Sequence, residues 1–283
     1  MVSGALLLPV QEPTDRFLKR RLTKVVFPTL FWTFFYLAIT IVTEGMSMSE
    51  FIKHLISIPF SAQGHSILWF MYTLIGLYLL SPIISPWLQK ASKREVEAVL
   101  LFWGVTLCYP LLTYGVTINT SQTGILYYFG GYAGYFLLGY YLHTYRPKIS
   151  PIGVALIFLI PLCTAVTFKL TATQVDFYSI FWYQSIFTVM MCIGWFCIFQ
   201  RLEERVPHSS WIALLSNYCF GIYLVHIFIM RNILWKCGII SANGGLIQII
   251  LTILLTSLLS FAVVWGINRL PYSQYIIGYK SKK

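Results

Sequence analysis

Eight long apolar runs, with the Lys and Arg residues gathered between them, constrain this chain more than any other feature. They cover residues 26–43, 66–85, 98–115, 125–143, 152–168, 178–199, 211–230 and 245–267. A bilayer core about 30 Å thick takes roughly 20 residues of helix to cross. Inside hydrocarbon a spanning segment must satisfy its own backbone, which leaves helices or closed barrels. These runs are continuous and show no period of two, so helices are expected. Only 10% of the residues are charged, against about 25% in an average soluble domain, so most of the surface must meet lipid. The expected fold class is therefore all-α, a polytopic transmembrane helix bundle. It has eight complete spans plus an N-terminal half-span, "MVSGALLLP", which is too short to cross.

The net charge of +11 does not point to nucleic acid, because the cations sit between apolar runs and form no basic face interleaved with aromatics. Alternating the loops places Arg16, Lys19, Arg20, Arg21, Lys24, Lys90, Lys93, Arg94, Arg146, Lys148, Arg201, Arg205, Arg269, Lys280, Lys282 and Lys283 on one side. The other side receives Lys53, Lys169, Arg231 and Lys236. Sixteen against four makes the first side cytoplasmic, and the C-terminus with it. Residues 144–150 and 200–210 are then expected to face the cytoplasm, and 116–124 and 231–244 to face out.

Between the first two spans, "SMSEFIKHLISIPF" reads as a short helix lying in the interface. Met48, Phe51, Ile52, Leu55 and Ile56 follow helical spacing, and Ser47 with Glu50 forms a capping box. The six cysteines show no metal or redox spacing and are read as buried structural thiols. No metal site or bound cofactor is expected.

Candidate functional residues are few, since span interiors hold almost no ionisable group. His226 is the exception. Tyr223 shares its face, with Ser216 and Asn217 two turns earlier, and the group reads either as a polar cluster facing a substrate cavity or as an interhelical hydrogen bond. Trp69, Tyr72 and Tyr78 in the second span serve packing or line the same cavity. The cluster Arg16, Lys19, Arg20, Arg21 and Lys24 sets topology and attracts anionic lipid, or grips the phosphates of a cytoplasmic donor. No P-loop, GxSxG, HExxH or paired-carboxylate motif is present.

The strings "SGALLLP", "FLKRRLTKVVFPTLFWTFFY", "LWFMYTLIGLYLLSPII", "GYFLLGYYL", "FGIYLVHI" and "LPYSQYIIGYK" occur in the order seen in acyltransferase family 3. The chain resembles these integral-membrane O-acyltransferases, which acylate carbohydrates of the cell envelope. It is most similar to the branch containing the enterobacterial common antigen O-acetyltransferase. The resemblance implies a single membrane-embedded acyltransferase domain over 1–283, in the bacterial cytoplasmic (inner) membrane. The implied reaction moves an acyl group, acetyl by this branch, from cytoplasmic acyl-CoA to a hydroxyl of a lipid-linked or polymeric glycan. Acyl-CoA is a co-substrate, and membrane lipid and glycan are the other partners.

The family's paired basic residues match Arg21 and Lys24, with Arg20 beside them, as donor-binding residues. A Lys at the second place keeps the charge and loses the bidentate fork. The substrate cavity would take Trp69, Tyr72, Tyr78, Tyr223 and His226. The family is built on about ten spans and keeps an essential histidine in the first. Against that pattern the chain reads as lacking its first span and a half, so no catalytic residue is assigned. The chain beginning at Met1 is expected to insert without catalysing transfer. The rival classes are a glycan transporter or flippase, which would need broken helices or inverted repeats, and a catalytically inactive membrane protein.

Overall fold

The computed structural model describes residues 1–45, 47–58, 68–112, 122–170, 181–203, 205, 209–241 and 245–280. His65, Ile67 and His208 lie outside them. The described residues are helical, with no strand among them. Contacts divide the chain into two compact units, Met1–Gln11 with Leu80–Pro207, and Glu12–Leu79 with His208–Lys283.

The first unit contains α1 (Val2–Leu7), the C-terminal part of α4 (Trp69–Leu88), α5 (Lys93–Leu107), α6 (Tyr109–Leu112), α7 (Ala133–Tyr145), α8 (Pro151–Leu170) and α9 (Ile186–Glu203). Ser92 caps α5 through a reciprocal bond with Glu95. The helices meet at small residues, as membrane helices do where backbones must approach closely. A Cβ on Gly4 of α1 would strike the Phe136 carbonyl of α7, and one on Gly139 would strike the Met1 carbonyl. Gly134 lies against the face of Trp103, and Gly194 of α9 against Phe158 of α8. Trp103, Leu107, Leu138, Leu142 and Val189 form one buried cluster of this unit. At one end Lys93 sits over the Tyr145 ring, Tyr141 donates to Glu97 at 2.6 Å, and Arg201 donates to the Ile149 carbonyl.

The second unit contains α2 (Thr14–Glu44), α3 (Met48–Ser57), the N-terminal part of α4, α10 (Ser210–Phe228), a π-helical continuation (Ile229–Trp235), α11 (Leu246–Ile267) and α12 (Gln274–Ile277). The 31 residues of α2 extend about 46 Å, longer than a bilayer core, so its basic first turns reach past the hydrocarbon. The short helix expected here is present as α3. The Ser47 hydroxyl accepts from the Glu50 amide at 3.3 Å and Glu50 accepts from the Ser47 amide at 3.1 Å. Met48, Ile52, Leu55 and Ile56 are exposed along it, and Phe51 meets Phe34 of α2.

The bonds from Ser47 hold the Glu50 carboxyl below its ordinary range. A carboxylate depressed in this way contributes stability at neutral pH that is lost as pH falls through its folded value. Carbon-13 NMR should show Glu50 titrating below the roughly 4.3 of a free glutamate, and Ser47→Ala should raise it part of the way, because the backbone amide of residue 47 still donates to the carboxylate.

Among the described residues five helices are long and apolar enough to cross a membrane: Thr14–Thr43, Trp69–Leu88, Ile186–Glu203, Ser210–Trp235 and Leu246–Ile267, with Pro151–Thr167 a shorter apolar helix. They fall in six of the eight expected runs. The run at 98–115 forms α5 and α6 with a break at Cys108, where Pro110 denies the chain an amide for a continuous helix. In the run at 125–143 the helix begins only at Ala133, after a 3₁₀ turn at Tyr127–Phe129 and the pair Gly130–Gly131. Gly131 has φ +87°, a conformation that ends a helical path for other residues.

The cysteines differ from expectation. All six thiols are free, and Cys197 alone is buried, while Cys163, Cys219 and Cys237 are exposed. Cys163 and Cys219 lie on apolar helices. A thiol behaves as a small hydrophobe, so lipid accepts it as readily as a protein core does.

Candidate functional site

The second unit holds all the sequence-predicted site residues, in two groups at different levels of α2. The lower group is the basic one. Arg16, Lys19, Arg20, Arg21 and Lys24 occupy the first three turns of α2, with Glu12 and Asp15 the only nearby carboxylates in sequence. Arg20 is exposed and paired with Glu12 at 2.5 Å. Lys24 is exposed. Arg21 is half-buried, and its Nε is shielded from solvent with no hydrogen-bond partner among the described residues. A guanidinium N–H left in that condition costs free energy until an acceptor arrives. Arg21 and Lys24 lie three residues apart and so share a helix face.

A C-terminal hook braces this end. Pro28 offers no N–H to the Lys24 carbonyl four residues earlier. Gly278 approaches that carbonyl so closely that a Cβ would lie 3.0 Å from it and 2.7 Å from the Phe220 ring, at φ +71°. Trp32 Nε1 donates to the Ile276 carbonyl at 2.9 Å, and Phe27 meets Tyr275 edge to face. Ile277 is buried against Gly221 of α10, which also receives Val264 of α11. The strings "FGIYLVHI" and "LPYSQYIIGYK" therefore meet in space, and both meet the helix that carries the basic cluster.

The upper group runs along α4 and α10 as a chain of rings. Trp69 and Phe70 lie 5.9 Å apart, Phe70 and Tyr223 5.8 Å, and Tyr223 and His226 5.6 Å. Tyr72 donates to the Ile58 carbonyl at 2.7 Å and also engages Thr33 of α2. Tyr78 is buried. His226 Nδ1 stands 2.6 Å from the Tyr223 carbonyl. A carbonyl only accepts, so Nδ1 carries the proton in this contact, which leaves Nε2 to face other partners. Ser216 and Asn217 are exposed, apart from the ring chain.

Sequence reasoning missed Tyr36. It is buried, and its hydroxyl donates to the Leu224 carbonyl at 2.7 Å and reaches the Phe228 backbone. That hydroxyl enters the α10 ladder where the helix changes from α to π at Ile229, and insertion of a polar side chain is a known cause of such a change. In sequence Tyr36 reads as one more aromatic of "FWTFFY". Fifteen residues separate Arg21 from Tyr36 on α2, so the basic and ring groups stand about 22 Å apart along the bundle.

Apolar helices of this length, with large apolar side chains exposed along them, define a multi-pass membrane protein. The family model for acyltransferase family 3, described as "Acyltransferase domain", matches residues 1–269, and the chain belongs to that family of acyltransferases. No curated protein and no solved structure matches the chain.

Proposed function

We propose that this chain is an inner-membrane O-acyltransferase that moves an acyl group, acetyl in the first instance, from cytoplasmic acyl-CoA to a hydroxyl of a cell-envelope glycan. In this reading both units form one acyltransferase domain with eight spans, of the enterobacterial common antigen branch. The observation that supports it best is Arg21, whose buried Nε has no partner among the described residues, in a cluster of five cations. A phosphate oxygen is the acceptor such a group lacks, and Arg supplies paired donors to it. Lys24 adds charge, and Arg20 joins by exchanging Glu12 for phosphate. Exposed ion pairs contribute only about 0–1 kcal/mol, so that exchange is cheap.

The donor's extended arm then follows the bundle from the basic end toward the rings of Trp69, Tyr72, Tyr78 and Tyr223, which stack on pantetheine or sugar faces. His226 Nε2 accepts a sugar hydroxyl and orients it. In the reaction the sugar oxygen attacks the thioester carbonyl and the C–S bond breaks. The proton lost by the hydroxyl is matched by the one that appears on the CoA thiol. The base that carries it is assigned to none of the described residues.

Deleting the coding region from its native locus should remove the acyl mass increment from an envelope glycan, and restoring it should return the increment. A deletion strain whose glycans keep every acyl group would defeat the reading. The proposed sidedness has its own check in single-cysteine variants. Cys237 should react with an impermeant maleimide on intact cells, and Ser150→Cys only after permeabilisation. The reverse pattern would invert the topology.

A further inference from the structure

The first unit has a cavity whose lining includes none of the candidate site residues named above. It is an open concavity of about 500 Å³, within the range of small-molecule sites, and Thr106, Tyr109, Tyr127, Tyr128, Gly131 and Gln184 contribute to its lining. Its floor is fixed from beneath. Trp103 Nε1 donates to the Gly131 carbonyl at 2.9 Å, and Phe129 packs on Phe102. Gln184 is hydrogen bonded to Tyr132. Tyr127 and Tyr128 stand nearly perpendicular, 5.2 Å between centroids, and both are exposed. The hydroxyls of Tyr109, Tyr127 and Tyr128 have no hydrogen-bond partner among the described residues. Among the described residues that line the cavity, none is charged.

A described lining that offers apolar ring faces, free phenol hydroxyls and an amide, with no charged side chain, suits a neutral sugar. The C–H face of a sugar packs on the ring, and its hydroxyls meet the phenols and the amide. An anionic headgroup would want cations, and these gather at the opposite ends of α5, α7 and α9, around Lys93 and Arg201. Interfacial aromatic belts lie along lipid-facing surfaces. Here the rings surround a concavity on an anchored loop.

We propose that this cavity is a subsite for neutral sugar residues of the glycan acceptor, at the extracytoplasmic end of the first unit. It rests on the glycan-acceptor reading above and extends it. The subsite holds the acceptor at a distance from the reacting hydroxyl and so selects among glycans.

The test is saturation-transfer NMR on the whole chain in nanodiscs, with chitotriose, maltotriose and mannotriose as probes. At least one trisaccharide should receive saturation on its ring protons. The signal should fall at least fivefold in Tyr127→Ala/Tyr128→Ala and persist in Tyr272→Ala, an exposed tyrosine of the other unit. Absence of transfer to all three sugars, or transfer unchanged in the double variant, overturns the subsite. Tyr127→Phe/Tyr128→Phe separates the two contributions, because it keeps the stacking faces and should lose only part of the signal. If the host glycan is acylated with an unchanged KM by the double variant, the subsite fails while the acyltransferase reading stands. If trisaccharides bind as described and no glycan is acylated, the acyltransferase reading fails while the subsite stands.

Discussion

Gly134→Val should destabilise the first unit by about 3 kcal/mol, at the upper end of what overpacking a filled core costs. A Cβ at this position would enter the ring of Trp103. The ring has nowhere to retreat. It is buried in the core with Leu107, Leu138, Leu142 and Val189, it packs edge to face on Tyr135, and its Nε1 is committed to the Gly131 carbonyl. Protein interiors are close-packed, so the added atoms must be met by moving α7 away from α5. Thermal unfolding in detergent, followed by tryptophan fluorescence, measures the loss. Gly104→Ala is the matched control, because nothing lies within 4 Å of its Cβ position. Removing a helix-interior glycine there should stabilise by roughly 0.5–1 kcal/mol. One residue type thus yields opposite signs at two positions of the same unit.

The contrast shows which parts of this protein were legible in its sequence. Six of the apolar runs, the short helix after the first of them and its Ser47–Glu50 box follow from periodicity and local hydrogen bonding, and the structure has them as helices. The role of the glycines in "GYFLLGYYL" did not follow. Gly134 and Gly139 answer to Trp103 and Met1, far away in sequence, and Gly104 looks no different from either on the page. The same holds for Pro28 and Gly278, whose relation is a carbonyl left open by one and covered by the other. Tyr36 was invisible for a related reason, since its partner lies 188 residues on, in a backbone whose hydrogen bonds no sequence pattern displays. Of the site, the basic cluster could be read from charge alone. That Arg20 is paired while Arg21 keeps a buried, unpartnered Nε could not.

That difference between neighbours yields the second large effect. Arg21→Ala should weaken coenzyme A binding by about 1.5–3 kcal/mol, roughly 10- to 150-fold, as expected for loss of a charge-assisted hydrogen bond to phosphate. Arg20→Ala should cost less, because Arg20 gives up Glu12 to bind and its removal frees only an exposed pair. Arg21→Lys should recover the charge and not the fork, and fall between wild type and alanine. Equilibrium titration of coenzyme A into the chain in nanodiscs resolves all three. Raising ionic strength should weaken the wild type and Arg21→Lys, and affect Arg21→Ala less. Equal affinity in Arg21→Ala and wild type would return the cluster to topology and lipid attraction.

The central claim is acyl transfer from a cytoplasmic donor to an envelope glycan, and sided transfer tests it most directly. Membrane vesicles of both orientations are prepared from the native host and from the deletion strain, then given acetyl-labelled acetyl-CoA. The account predicts label in the glycan fraction of inside-out host vesicles, where the donor meets the basic end. It predicts little in right-side-out vesicles and none above background in the deletion strain. Equal glycan labelling with and without the gene, or labelling confined to right-side-out vesicles, would contradict it.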